Sequence, residues 1–335
     1  MSSGTLFALP FDAESLQVGG TAMPVLASVD YSNDQGDGRF SVSPGGTPGE
    51  LRQTESRFDD PAVSPDGKRV AFAVADDEGG LWIYDLARGV PTRITSAAAF
   101  LPSWSPDGRS LVYSGRVDGE AQLFVVAADG TGEPTRISPS PNRRQLWPDF
   151  SPDGRQIGFS QLGRTADANM DLAVLTLSSG VVGPLLQTEF HERLATLSPN
   201  GRWLAYLSDE SGESEVYVRS YPDMGAKQRV SIGGGNRPRW APDGSFLYYT
   251  RAQRITGVSV HRDGDQMRFG EPELVVDLVV SPDFDVLPDG RFVVIPRVSA
   301  TASGDLDRVT LVLNWDEEVE RLLTSGSESC GSSAS

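Results

Sequence analysis

Pro102-Ser103-Trp104-Ser105-Pro106-Asp107-Gly108-Arg109-Ser110-Leu111-Val112-Tyr113-Ser114 reads as a strand, a tight reversal and a second strand, and it decides the fold. Proline fixes its own φ for the second position of a type I turn, Asp or Asn suits the third, and glycine takes the left-handed conformation without a Cβ penalty. The same turn recurs along the chain. Its residues are Pro65, Asp66 and Gly67; Pro106, Asp107 and Gly108; Pro152, Asp153 and Gly154; Pro199, Asn200 and Gly201; Pro242, Asp243 and Gly244; and Pro288, Asp289 and Gly290. The glycines are 41, 46, 47, 43 and 46 residues apart, a spacing that marks a repeat architecture.

Two more strands complete each unit. After Leu111-Val112-Tyr113 come a polar hairpin at Asp118-Gly119, the run Gln122-Leu123-Phe124-Val125-Val126, a turn at Asp129-Gly130, and Thr135-Arg136-Ile137-Ser138. The fourth unit repeats this grammar as Trp203-Leu204-Ala205-Tyr206, Glu215-Val216-Tyr217-Val218 and Gln228-Arg229-Val230-Ser231. Four short strands in roughly 40 to 50 residues is the mark of a propeller blade, and a ring of blades buries the faces that one blade leaves open. The abundance of Gly, Pro and β-branched residues disfavours a helical solenoid. The expected fold is all-β: a six-bladed β-propeller of four-stranded antiparallel blades over residues 1–323, with seven blades, one degenerate, as the alternative. The units fall near 58–98, 99–145, 146–190, 191–233, 234–279 and 280–315.

The ends of the ring break the pattern. Gly4 to Asp12 and Met23 to Leu26 read as strands, and Arg39 to Gly46 reads as a further turn only 21 residues before Gly67, too close for a full blade. The sixth unit offers Phe284 to Val286, Phe292 to Ile295 and Val309 to Trp315, followed by a short helical stretch, Glu317 to Leu323. An open ring exposes strand edges, so a strand within residues 4–29 is expected to complete the last blade.

The 46 acidic against 29 basic residues give a net charge of -17, which excludes binding to a nucleic-acid backbone by counterion release. Cys330 is the single cysteine, in a Ser- and Gly-rich tail, residues 324–335, expected to be disordered. No apolar run reaches the roughly 18 to 20 residues of a membrane span, and the N-terminus lacks a basic region followed by an apolar core, so neither a span nor an export signal is expected.

Serine catalysis needs a strained Gly-x-Ser-x-Gly elbow with a histidine and an acid, and the chain has no such elbow. Of its two histidines, His191 precedes the first strand of the fourth unit and is a weak ligand candidate, while His261 lies in a polar turn. Asp167-Ala168-Asn169-Met170-Asp171 alternates oxygen side chains as a calcium loop does, but Leu172 stands where the sharp turn wants glycine. Asn33 to Gly38 is an equally partial match. The turn aspartates read as scaffold, and Trp104, Phe150, Leu197 and Trp240 as packing between blades. No catalytic, cofactor-binding or metal-ligating residue is assigned, no cofactor is expected, and the chain is expected not to be an enzyme.

The units over residues 61–295 resemble the TolB-like, WD-related propeller repeat. More narrowly, Ser198 to Tyr206, Glu210-Ser211-Gly212, Glu215 to Arg219, Gly233-Gly234-Gly235 and Pro238-Arg239-Trp240 are similar to the extracytoplasmic propeller region of bacterial membrane-anchored serine/threonine kinases. A kinase glycine-rich loop, His-Arg-Asp loop and Asp-Phe-Gly are missing. The resemblance implies a bacterial signalling sensor, periplasmic or extracytoplasmic, whose kinase or membrane partner is encoded separately. The expected function is a non-catalytic interaction module that binds a protein, peptide or small ligand through loops on one face or the channel mouth. The alternative is an enzyme or glycan-binding propeller with a site assembled from several blades. Titratable groups with strongly perturbed pKa values inside the channel would favour the enzyme.

Overall fold

A computed structural model of the chain describes residues 58–74, 79–137, 143–162, 169–263, 266–277 and 280–296, and the strand backbone of 3–8, 11–12, 17–18 and 23–30. The turn at Gly46, Cys330, the tail, the strand at 309–315, the helical stretch at 317–323, Asp167 and Asn33 to Gly38 lie outside these residues.

Each Pro-Asp-Gly turn joins the innermost strand of a unit to the next strand out. Blade one is Phe58–Val63, Arg69–Val74, Gly80–Asp85 and Val90–Arg93, antiparallel in chain order. Blade two is Ala99–Trp104, Ser110–Val117, Glu120–Ala127 and Thr135–Arg136. Blade three is Gln145–Phe150, Gln156–Leu162, Met170–Thr176 and Val181–Leu186. Blade four is Glu192–Leu197, Trp203–Ser208, Glu215–Ser220 and Lys227–Arg229. Blade five is Asn236–Trp240, Phe246–Arg251, Arg254–Asp263 and Gln266–Phe269, with Glu273–Val276 also paired to its third strand.

The expected count of six four-stranded blades is corrected to five. Among the described residues the sixth unit is a two-stranded sheet, Val280–Val286 with Phe292–Pro296. Closure by an N-terminal strand is corrected as well. Ser3–Ala8 pairs with Met23–Asp30 and Phe11–Asp12 with Gln17–Val18, so among the described residues these strands take near neighbours in sequence and not Val280–Val286 or Phe292–Pro296. The recurring turn specifies one hairpin per unit; it carries no information on whether two outer strands follow.

The ring closes through packing. One apolar cluster sits between blades one and two (Ala71, Leu81, Trp104, Leu111) and another between blades two and three (Val112, Leu123, Ile157, Phe159). Leu172, Tyr206 and Tyr217 join blades three and four, and Leu207, Val216, Leu247 and Tyr249 join four and five. Tyr248 and Ile255 meet Phe284 and Phe292, and Leu287 and Val293 then meet Val70 of blade one. Each of these clusters draws on two neighbouring units, so burial worth about 1.5 to 3 kcal/mol per large apolar side chain accrues to pairs of blades. Trp104 and Trp240 stitch these seams further, donating from Nε1 to the carbonyls of Ala62 and Thr196, at 2.9 and 3.3 Å, on the preceding blade.

The turns form a ring of their own. In the second unit Gly108 N donates to Ser105 O at 2.8 Å, and Asp107 Oδ1 accepts from Ser105 Oγ at 2.6 Å and from Arg109 N at 3.0 Å. Gly67, at φ 67°, faces the proline of the sixth unit, where a Cβ would lie 2.7 Å from Pro288 Cδ. Glycine there serves both the left-handed backbone and the close approach of first and last turns. Among the described residues no helix is long and apolar enough to cross a membrane.

Candidate functional site

The innermost strands surround a central cavity of about 250 Å³. Two residues of every unit line it, the fifth and the third before the turn proline. The fifth-before positions form one tier: Asp60, Leu101, Trp147, Leu194, Arg237 and Asp283. The third-before positions form the other: Ala62, Ser103, Asp149, Thr196, Arg239 and Asp285.

A backbone irregularity marks the first tier. Asp60, Leu101, Trp147, Leu194 and Arg237 all have positive φ, between 48° and 58°, and each innermost strand slips register against its neighbour at this point. A left-handed residue with a Cβ costs about 1 to 2 kcal/mol, and strained backbone of this kind collects where a fold positions functional side chains.

The tiers are chemically lopsided. Units five, six and one bring charge: Arg237 Nη2 is 3.0 Å from Asp60 Oδ1 and is also paired with Asp283 Oδ1. In the second tier Arg239 Nε stands 3.8 Å from Asp285 Oδ1. Asp149, from unit three, accepts from Ser103 Oγ at 2.7 Å and also feels the charge of Arg239. Each tier therefore sets one guanidinium against two carboxyl groups. On the other side Leu101, Trp147 and Leu194 give an apolar arc, with the Arg237 guanidinium 5.9 Å from the Trp147 ring centre.

Burial dominates the acid–base behaviour. Desolvation pushes the Asp60 carboxyl from 3.8 up to about 7, against the pull of Arg237 and with help from Asp283. Burial also raises Asp149, opposed by the Ser103 hydroxyl and Arg239, and raises Asp285, opposed by Arg239 and by the amides of Val63 and Val286. The turn carboxyls behave oppositely: Asp107 and Asp153 are held below the usual range, first by the hydroxyls of Ser105 and Ser151.

His191, the ligand candidate from sequence, is exposed and does not line the cavity; its Nδ1 accepts from Met170 N at 3.1 Å. The turn prolines Pro65 and Pro199 touch the cavity, while Asp66, Asp107, Asp153, Asn200, Asp243 and Asp289 do not line it. Phe150 and Leu197 pack at the seams of blades two to four. Among the described residues no group of three or more His, Cys, Asp or Glu is placed to hold a metal ion. Sequence reasoning missed the channel residues because no two units consecutive in the chain share them. The signal was present in the columns: aligning the units on the turn proline isolates Asp60, Asp149, Arg237, Arg239, Asp283 and Asp285 at two positions.

The fold is thus a β-propeller whose repeats converge on a charged channel. Residues 50–161 match the family described as the TolB beta propeller domain. The chain is 28% identical over 176 residues to the Tol-Pal system protein TolB of Francisella tularensis, covering 51% of this chain and 39% of that one. It is 26% identical over 210 residues to the uncharacterized peptidase YuxL of Bacillus subtilis, covering 48% of this chain and 31% of that one. It therefore spans well under half the length of these two relatives. An oligogalacturonate lyase in complex with manganese shares the fold at 17% identity and a TM-score of 0.51, covering 69% of this chain and 68% of that one.

These likenesses correct the expectation that the chain is not an enzyme. Propellers similar to it occur in proteins named as a peptidase and a lyase, so the lack of a linear catalytic motif excludes nothing. The channel itself holds the shifted carboxyl groups that distinguish the enzymatic alternative.

Proposed function

We propose that the central channel is the working site, assembled from several blades, and that it binds a small ligand bearing a primary ammonium group next to an apolar side group. One observation carries this reading: in the first tier a single arginine, Arg237, faces two aspartates, Asp60 and Asp283, opposite the arc of Leu101, Trp147 and Leu194. The carboxylates exceed the guanidinium groups, so an added cation completes the pairing, and the apolar arc receives what the cation is attached to. Asp60, half protonated near neutral pH, is suited to exchange a proton with such a ligand, as an enzymatic site requires. The relative named as a peptidase supports this ligand class, because peptide termini and amino acids carry these groups. In a chain that works beside a kinase, as the resemblance of residues 198–249 implies, occupancy of the channel would be the input.

Phenethylamine is the simplest probe, an ammonium group joined to an aromatic ring. Titration calorimetry at pH 7.5 should give saturable one-site binding that weakens about tenfold or more in Asp283→Asn. No binding to the wild-type protein, or equal binding to the variant, overturns the reading.

A further inference from the structure

Resting on the channel reading, the two arginines are not equivalent, and their difference narrows the ligand. Arg237 is tightly held: its side chain is 13% exposed and serves Asp60 and Asp283 together. Arg239 is 30% exposed, and among the described residues its one ion pair is the loose approach of Nε to Asp285 Oδ1 at 3.8 Å. Asp285 has hydrogen-bond donors besides it: its oxygens accept from Val63 N at 2.7 Å and Val286 N at 2.9 Å. The one protein hydrogen bond from the Arg239 guanidinium runs from Nη1 to the adjoining Pro238 carbonyl, at 3.2 Å. A planar fork lining the cavity thus keeps donors without protein acceptors among the described residues.

We propose that Arg239 anchors a carboxylate, and that the ligand is a zwitterion: an α-amino acid with an apolar side chain. Its ammonium group meets Asp60 and Asp283 in one tier, its carboxylate takes the Arg239 fork in the other, and its side chain lies against Trp147 and Leu194. The tiers are two residues apart along each strand, roughly 6 to 7 Å. That span suits an ammonium and a carboxylate on one carbon, each reaching its partner through one hydrogen bond. A cavity of about 250 Å³ holds a ligand of this size.

Phenylalanine is phenethylamine with a carboxylate added, so the pair isolates Arg239. In titration calorimetry, wild-type protein should bind phenylalanine at least about tenfold more tightly than phenethylamine. Arg239→Gln should lose the preference, binding phenylalanine no more tightly than phenethylamine. Phenylalaninamide, which keeps the amine and ring but not the negative charge, tests the same point without a variant and should bind the wild type as phenethylamine does. If phenethylamine binds but phenylalanine binds no better, the anchor is wrong and the channel reading stands. If the preference survives Arg239→Gln, the anchor lies elsewhere. If neither probe binds, both readings fall.

Discussion

The ring of turns and the two tiers of the channel are built from residues only a few positions apart, yet they follow opposite rules. At the turns, six units use nearly the same letters, and in the second unit the same bonds hold Ser105, Asp107 and Gly108 in place. Five residues upstream the letters are Asp60, Leu101, Trp147, Leu194, Arg237 and Asp283, with no two neighbouring units alike within the first five. Repetition marks what every blade needs, a reversal that lets neighbours stack. Departure from it at a position that all units aim into one cavity marks what the whole ring does once.

The contrast is most open to challenge at Arg237, the most enclosed charge of the channel. Arg237→Leu leaves Asp60 and Asp283 buried without their cation, and stability at pH 7 should fall by about 3 to 5 kcal/mol in urea denaturation. A loss under about 1 kcal/mol would mean that the tier is solvated and that its charges do not form a unit.

The turn ring is probed by two glycines with the same φ of 67°. Gly201→Ala meets open space and should cost only the left-handed strain, about 1 to 2 kcal/mol. Gly67→Ala adds a clash with Pro288 at the seam between sixth and first units and should cost roughly 1 to 3 kcal/mol more. Equal melting of the two variants would show that the seam does not depend on turn-to-turn contact.

How much of this was legible in the sequence follows from the same rules. Turn chemistry is local: Pro106 sets φ, Gly108 accepts the left-handed backbone, and both act on their own residues, so a single chain displays them. The packing role of Trp104 and Trp240 before their turns was equally readable. The blade count was not, because a hairpin at Pro288-Asp289-Gly290 looks the same whether two strands or four belong to its sheet. The pairing of Ser3–Ala8 with Met23–Asp30 likewise depends on which partner lies nearer, something an apolar run does not encode. The channel was hidden for a third reason. Asp60 and Arg237 are 177 residues apart and meet only because the ring closes, and the positive φ that aims them inward falls on residues with no intrinsic preference for it.

A smaller effect separates the turn from the channel by its hydroxyl. Ser105 Oγ donates to Asp107 Oδ1 at 2.6 Å and accepts from Ser110 N at 2.9 Å, so Ser105→Ala should cost about 0.5 to 1.5 kcal/mol. Because that hydroxyl is also the main reason that Asp107 stays ionised to low pH, the variant should lose stability sooner on acidification. Titration of the Asp107 carboxyl by NMR checks this directly; an unmoved midpoint would mean that the turn does not rely on the bond.

The pH dependence of Asp60 is the effect most specific to the channel. Asp60 titrates at about 7 in the folded chain against an ordinary 3.8, so between those values the native state holds a proton that the unfolded state has released. Stability from this group is therefore fully present below about pH 4 and is lost as pH rises through 7. Asp60→Asn mimics the protonated form and should remove that slope. At pH 7 the unfolded wild type has released the proton that half of the native molecules still hold, so the variant should already be the more stable protein there, by up to about 4 kcal/mol at roughly 1.36 kcal/mol per pH unit. Above pH 8 the gap should stop growing, because Asp60 of the wild type is then ionised in both states and keeps its buried charge beside Asp283. Thermal melts from pH 4 to 9 decide the matter: parallel profiles for the two proteins would mean that Asp60 is solvated like a turn aspartate. Diverging profiles would give the channel a proton held by the convergence of units one, five and six, which no turn supplies.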